Sequence, residues 1–170
     1  MRFHRLLLTL VLGSVAAIGQ TGPTYPPNFA DATVEVYKAV GETRLSLFIF
    51  SPPGGATAEK RAAIVFFFGG GWRQGNPAQF AMQCRRLASL GMVAITADYR
   101  VSSRNQTNVT DSVRDAKAAI RYIRVNALRL RIDPERIAAG GGSAGGTSPF
   151  RRPCCRGLTK TRKSALGLTR

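Results

Sequence analysis

Residues 136–146 read Arg-Ile-Ala-Ala-Gly-Gly-Gly-Ser-Ala-Gly-Gly, so a short apolar run leads into the motif Gly141-Gly142-Ser143-Ala144-Gly145. A strand that reverses sharply into a helix strains the backbone at its pivot, and only neighbours with almost no side chain tolerate this. The motif therefore predicts such a turn, with the hydroxyl of Ser143 held out into a crevice. The amide of Ala144 would face the same space and could stabilise a developing oxyanion. A glycine-rich loop with an incidental serine, or a phosphate-binding turn, is the alternative interpretation.

A second glycine cluster, Gly69-Gly70-Gly71-Trp72, follows another apolar run. Three glycines let backbone N–H groups approach a ligand without interference from side chains, which favours a role as oxyanion donors. By itself the cluster is equally typical of a flexible loop with a packing tryptophan. The serine turn about 70 residues later favours the functional interpretation.

The segments around these clusters alternate between apolar runs and amphipathic stretches. Continuous apolar runs are typical of strands buried on both faces, and apolar residues at helical spacing predict helices. In chain order the sequence predicts a hairpin of Thr33–Tyr37 and Arg44–Phe50, a strand over Ala62–Phe68, a helix that Asn76-Pro77 begins and Gly91 ends, a strand over Met92–Ala97, a helix from about Thr110 to Leu130, a turn at Asp133-Pro134-Glu135 and a strand over Arg136–Gly140.

This order of elements predicts an α/β fold with a mostly parallel sheet and an amino-terminal β-hairpin. In such sheets ligands bind beyond the carboxyl ends of the strands. Both glycine clusters, at residues 69–71 and 140–146, follow predicted strands. We therefore expect the two clusters to lie at the same edge of the sheet.

The motifs, in this order, resemble those of α/β hydrolases of the hormone-sensitive lipase and acetyl esterase type. The resemblance runs from about Thr33 to Gly146 and rests on Phe66-Phe67-Phe68-Gly69-Gly70-Gly71-Trp72, Asp98-Tyr99-Arg100, Asp111-Ser112-Val113-Arg114-Asp115-Ala116, Asp133-Pro134-Glu135-Arg136-Ile137 and Gly141–Gly146.

The resemblance implies a carboxylic ester hydrolase that acts on small-molecule esters without a cofactor. It implies that Ser143 is the nucleophile and that Gly70, Gly71 and Ala144 are the oxyanion donors. Phe68 stands where the family more often has a histidine that orients the loop. Asp98 corresponds to a position in a structural segment of the family, so a role in the fold is expected for it.

The sequence lacks a histidine at the place where this chemistry needs one. A serine hydroxyl is a weak nucleophile at neutral pH and is usually activated by an imidazole that a carboxylate orients. The single histidine of the chain is His4. In the family the serine turn continues as an apolar helix, and three further strands carry the catalytic aspartate and histidine.

Residues 147–170 do not resemble that continuation, since Pro149 and Pro153 would interrupt a helix and arginine, lysine and cysteine replace the apolar pattern. Shifting the codon boundaries after Gly146 by one nucleotide, with one base restored, allows a sequence typical of the family. We therefore expect an out-of-frame, disordered basic tail. The chain would then hold the amino-terminal part of an α/β-hydrolase fold, with the later strands missing, and would be inactive by itself.

The amino terminus has the features of a secretory signal. Arg2 and Arg5 precede an apolar stretch over residues 6–18, and small residues follow at a possible cleavage site. This stretch is shorter than the roughly 20 residues of a membrane-spanning helix. We therefore divide the chain into a signal peptide (1–19), a linker (20–32), a partial hydrolase domain (33–146) and the tail (147–170), and expect export without a stable membrane span.

The charge of the chain leaves one further class of function open. The net charge is +16, and residues 147–170 contain seven basic and no acidic residues. A disordered basic tail can bind polyanions without a fold, although nothing in the sequence indicates specific nucleic-acid binding. A non-catalytic fragment is the other alternative. No spacing of His, Cys, Asp and Glu predicts a metal site, and the sequence does not determine the oligomeric state.

Overall fold

The fold is that of a computed structural model, which describes residues 24–54 and 60–147. The predicted signal peptide, His4 and residues 148–170 of the predicted tail lie outside the described residues. The strands of the described part are β1 (Thr33–Val40), β2 (Thr43–Phe50), β3 (Arg61–Phe67), β4 (Val93–Ala97) and β5 (Ile132–Gly141). Its helices are a 3₁₀ helix (Pro77–Phe80), α1 (Ala81–Ser89), α2 (Ser102–Asn105), α3 (Val109–Val125) and α4 (Ala144–Thr147).

The five strands form one mixed sheet in the order β1-β2-β4-β3-β5. Strand β3 runs parallel to both β4 and β5, whereas the hairpin of β1 and β2 joins β4 in the antiparallel direction. The predicted parallel sheet with an amino-terminal hairpin is therefore confirmed. Because β5 pairs with β3, the serine turn follows a strand next to the one that leads into the first glycine cluster.

Helices cover the sheet on both faces, which explains the continuous apolar strands. All five residues of β4 are buried. On one face, Ala116, Ala119, Ile120 and Ile123 of α3 pack on the sheet. On the other face, Cys84 and its neighbours in α1 pack on phenylalanines of β2. A strand between two helical layers has no solvent face, so it shows no alternation of polar residues.

Helix α3 is shorter than predicted, since it ends at Val125 and not near Leu130. The side chain of Asn108 accepts a hydrogen bond from the Asp111 N–H and caps the start. At the other end, the side-chain amide of Asn126 donates to the carbonyl of Tyr122, 2.9 Å away. Leu130 still packs against the core from the following turn, so its helical spacing reflected burial and not a continued helix.

Strand β5 begins four residues earlier than predicted, at Ile132. Its register against β3 shifts after Ile132, and regular pairing resumes at Ile137. The predicted turn at residues 133–135 lies inside this irregular stretch, where Oδ1 of Asp133 accepts from the Glu135 N–H. The short helix α2 was not predicted, and the helix predicted to begin at Asn76-Pro77 starts as the 3₁₀ helix Pro77–Phe80 before it continues as α1.

Residues 24–32 form neither helix nor strand but contact the rest of the domain at several points. Phe29 packs edge-on against Phe48, with the ring centroids 5.3 Å apart. Asp31 forms a bidentate pair with the exposed guanidinium of Arg85. Tyr25 reaches the carboxyl end of β4, where it donates a hydrogen bond to Asp98. The segment therefore brings an aromatic side chain to the edge of the sheet that carries the glycine clusters.

Candidate active site

The two glycine clusters meet at the carboxyl ends of β3 and β5. Phe67, the last residue of β3, pairs in register with Gly141. The N–H of Gly142 donates to the carbonyl of Phe67 over 3.3 Å. A Cβ on Gly69 would lie only 2.9 Å from the carbonyl oxygen of Gly142. The predicted juxtaposition of the clusters is thus present, and side chains on Gly69 would prevent it.

Ser143 occupies the pivot of a tight turn. Its φ of +48° lies in the left-handed region that non-glycine residues seldom adopt,. The Gly145 N–H donates to Gly142 over 2.8 Å and the Gly146 N–H donates to Ser143 over 3.0 Å. Ser143 is exposed whereas Ala144 is buried. The strained backbone holds the serine side chain on the surface of the turn, as the motif predicts.

A cavity of about 560 Å³ lies in front of this turn. Ser143, Gly69 and Gly70 line it together, so the structure brings the predicted nucleophile and one predicted donor to the same space. Gly71 is not among the lining residues, and Ala144 lies beneath the surface at the start of α4. The other lining side chains are Tyr25, Gln74, Asn76, Gln79 and Arg104.

The first glycine cluster forms a compact loop that is fixed from two sides. The carbonyl of Gly70 accepts from the Arg73 and Gln74 N–H groups, over 3.1 and 3.2 Å. The N–H of Gly69 donates to Oε1 of Gln79 over 2.6 Å. The sequence analysis missed Gln79, which lies in the predicted first turn of a helix and carries no motif of its own.

Tyr25, Asp98 and Arg104 form a polar cluster beside the loop. The guanidinium carbon of Arg104 lies 3.9 Å from the centroid of the Tyr25 ring. Nη1 of Arg104 donates to the carbonyl of Gly75 over 2.6 Å, and Nη2 lies 3.7 Å from Oδ1 of Asp98. Tyr25 and Arg104 were not predicted as site residues. Both residues are distant from Ser143 in the sequence, and only the folding of the chain brings them into the cavity wall.

The ionisation of this cluster follows from its burial. Burial raises the pKa of Asp98 to about 6, although the hydrogen bond from Tyr25 and the charge of Arg104 act in the opposite direction. Burial, together with the carboxylate of Asp98, raises the pKa of Tyr25 to about 12. At neutral pH the tyrosine is therefore a hydrogen-bond donor, and Asp98 is its acceptor.

Phe68, which departs from the family pattern, is fully buried beneath the loop. Its ring stacks on that of Tyr99 with 4.1 Å between the centroids. The hydroxyl of Tyr99 donates to the carbonyl of Phe68 over 2.6 Å. Packing against Tyr99 thus holds the start of the glycine loop, without a polar ring at residue 68.

The described residues hold no histidine, since the single histidine of the sequence is His4. Within residues 24–54 and 60–147, no three His, Cys, Asp or Glu side chains are grouped as metal ligands. None of the helices in these same ranges is long and apolar enough to cross a membrane.

Comparison with known proteins identifies the family. The sequence pattern of the BD-FAE family matches residues 47–148, which is more than half of the chain. No curated protein matches in sequence.

Solved structures of an esterase are also similar. Native Est2, a thermophilic esterase of the planctomycete Thermogutta terrifontis, is 53% identical with a TM-score of 0.70 over 72% of this chain and 44% of its own. Its butyrate-bound form is 52% identical with a TM-score of 0.71, covering 73% of this chain and 45% of its own. The form phosphorylated by paraoxon is 52% identical with a TM-score of 0.69, covering 72% and 47%.

The chain spans less than half the length of these esterase structures. The residues that match the family, 47–148, include both glycine clusters and the serine turn at the end of β5. The chain therefore belongs to the BD-FAE family of α/β hydrolases.

Proposed function

We propose that this protein is a carboxylic ester hydrolase in which Ser143 is the nucleophile. The observation that carries the proposal is the position of Ser143, at φ +48° on a tight turn that faces a cavity of about 560 Å³. The similar esterase has been obtained with propionate and with butyrate bound. Short acyl esters are accordingly the substrates that we propose for this chain.

In the proposed reaction, Oγ of Ser143 forms a bond to the ester carbonyl carbon and gives up its proton. The bond from that carbon to the alcohol oxygen breaks, and the alcohol leaves with the proton. Water then attacks the acyl-serine, which releases the acid and restores the serine hydroxyl. We propose that the amides of Gly70, Gly71 and Ala144 stabilise the oxyanion of each tetrahedral intermediate.

The proposal includes slow turnover by the chain of 170 residues. A serine hydrolase from which the base is removed keeps only the weak catalysis that substrate binding and oxyanion donors supply. No imidazole lies beside Ser143 among the described residues. We therefore expect the chain to bind esters and to react with strongly activated reagents far more readily than it hydrolyses esters.

Covalent labelling tests the nucleophile directly. Paraoxon phosphorylates the similar esterase. We expect paraoxon or a fluorophosphonate to modify this chain at Ser143, as located by peptide mass spectrometry, and Ser143→Ala to remove the modification. Ser103 is exposed on α2 and provides the control, since Ser103→Ala should leave labelling unchanged. Labelling that is spread over several serines, or that persists in Ser143→Ala, would refute the assignment.

We also propose that the protein is exported. The support is the basic start and apolar stretch of residues 1–19, followed by small residues,. Amino-terminal sequencing of the protein recovered from the extracytoplasmic fraction should begin near residue 20. Recovery of the uncleaved chain in the cytoplasm alone would count against export.

A further inference from the structure

Gln79 lies in the wall of the cavity, next to the glycine loop. It lies in the 3₁₀ helix Pro77–Phe80, and its side chain lines the same cavity as Ser143. A second cavity of about 410 Å³, adjoining Gly69 and Asn76, is also lined by Gln79. The residue therefore lines both cavities beside the glycine loop.

The orientation of the Gln79 amide is fixed by its bond to Gly69. The backbone N–H of Gly69 lies 2.6 Å from Oε1. Since an N–H donor requires an acceptor, only the carbonyl oxygen of the amide can occupy this position. The Nε2 group consequently lies on the side away from the Gly69 N–H.

Nε2 of Gln79 has no protein partner among the residues that the structure describes. The bond to Gly69 is the one hydrogen bond that the side chain of Gln79 makes within these ranges, and the residue is exposed at the cavity. Two N–H donors are thus available to a molecule in the cavity. An ester supplies two oxygen acceptors, its carbonyl oxygen and its alcohol oxygen.

Gln79 also lies close to the serine turn. A Cβ on Gly142, the residue before Ser143, would lie 3.7 Å from Oε1 of Gln79 and 3.5 Å from the ring of Phe80. The side chain of Gln79 therefore bonds to the glycine loop and also lies close to the backbone of the serine turn. A side chain between the two loops is placed to contact a molecule that is bound next to Ser143.

We propose that Gln79 is an ester-binding residue with two roles: Oε1 holds the Gly69 N–H and so orients the glycine loop, and Nε2 donates a hydrogen bond to an oxygen of the bound ester. This deepens the proposed function, because it assigns a side-chain donor to the same cavity. The two roles use different ends of one amide, so substitutions can separate them.

Gln79→Glu keeps an oxygen acceptor for Gly69 but replaces the N–H donors by a second carboxylate oxygen. Gln79→Met has a similar length and removes both functions. Gln83→Glu is the matched control, since it adds the same charge at an exposed glutamine of α1 that does not line the cavity. All variants are made in the 170-residue chain.

The first readout is binding of ethyl butyrate, measured by saturation-transfer NMR titration in proteins that also carry Ser143→Ala, so that the ester stays intact. We expect the dissociation constant to rise about 3-fold to 10-fold in Gln79→Glu and in Gln79→Met, as for the loss of one hydrogen bond. It should change less than about 2-fold in Gln83→Glu. The melting temperature should match wild type in Gln79→Glu and fall in Gln79→Met.

The second readout is the rate at which a fluorophosphonate modifies Ser143 in chains that keep the serine. We expect this rate to fall in both Gln79 variants and to be preserved in Gln83→Glu. Equal binding and labelling in wild type and Gln79→Glu would overturn the donor role. A lower melting temperature in Gln79→Glu would overturn the role of Oε1 as a separable acceptor.

The two readouts test the role of Gln79 separately from the proposed nucleophile, Ser143. If ethyl butyrate binds in a Gln79-dependent manner but Ser143 is never modified, the binding residue stands and the proposed nucleophile fails. If Ser143 is modified but the Ser143→Ala protein binds no ethyl butyrate, the inference about Gln79 is overturned while the nucleophile stands.

Discussion

The hydroxyl of Tyr25 donates a 2.6 Å hydrogen bond to the buried carboxyl group of Asp98, 73 residues further along the chain. Asp98 also accepts from the Tyr99 N–H, so both of its oxygens have partners. The bond attaches the segment before β1 to the carboxyl end of β4, beside the candidate active site. It shows that residues outside the sheet contribute to the wall of the cavity that Ser143 lines.

Tyr25→Phe should destabilise the domain by about 1–3 kcal/mol, because it leaves a buried acceptor without its donor. Urea unfolding followed by circular dichroism measures the change. Tyr122→Phe is the control, since the hydroxyl of Tyr122 donates to Glu35 over 3.0 Å and Glu35 keeps its bidentate pair with Arg129. We expect this control to lose less than about 1 kcal/mol. Equal losses in the two variants would show that the hydrogen bond of Tyr25 to Asp98 contributes no more to stability than that of Tyr122 to Glu35.

Asp98 should make the protein less stable as the pH rises from about 4 to about 6. Its pKa is about 6 in the fold and ordinarily 3.8, so the folded state binds more protons than the unfolded state in this interval. Stability is therefore lost as the pH rises through the interval and stays constant above it.

Asp98→Asn, which cannot ionise, should lack this dependence. Between pH 4 and pH 7 the stability of wild type should fall relative to the variant by about 2 kcal/mol. Urea unfolding of both proteins at each pH measures the difference. Acidic groups whose pKa is lowered, such as Asp31 and Asp133, act in the opposite direction but equally in both proteins. A constant difference across the range would contradict the raised pKa.

Asp115→Ala should cost about 3–5 kcal/mol, since it removes the buried partner of two cations. The carboxylate of Asp115 is fully buried, and it accepts from Nε and Nη2 of Arg100 over 2.7 and 3.0 Å and pairs with Lys38. Asp31→Ala removes an exposed pair with Arg85 and should cost less than about 1 kcal/mol,. Thermal unfolding ranks the two variants, and a larger loss in Asp31→Ala would refute this account.

Gly145→Ala should abolish the native serine turn, because a Cβ there would overlap the carbonyl oxygens of Phe67 and Phe68. Backbone atoms cannot rotate away, so we expect a loss of more than about 3 kcal/mol or failure to fold. Gly41→Ala is the control, since Gly41 has φ +56° and nothing within 4 Å of its Cβ position. Backbone strain alone should cost it about 1–2 kcal/mol. Equal melting temperatures in the two variants would show that close packing at Gly145 is unimportant.

Elements that depend on a local pattern of residues were predictable, whereas those that depend on tertiary packing were not. Strand β4 was predictable because all five of its residues are buried, so that its sequence is a run of mostly apolar residues. The end of α3 was not, because Leu130 keeps helical spacing while it packs from a turn. The start of β5 was missed because a register shift lets a local Asx turn at Asp133 lie within a strand.

The sequence by itself determined the order of strands and helices and the serine turn, since apolar periodicity and glycines at a sharp bend act over a few residues. Several motifs in a fixed order also indicated the family. Only the tertiary structure decided that Tyr25, Gln79 and Arg104 line the cavity with Ser143. Their positions depend on how the sheet brings distant segments together, and no spacing along the chain records such a contact.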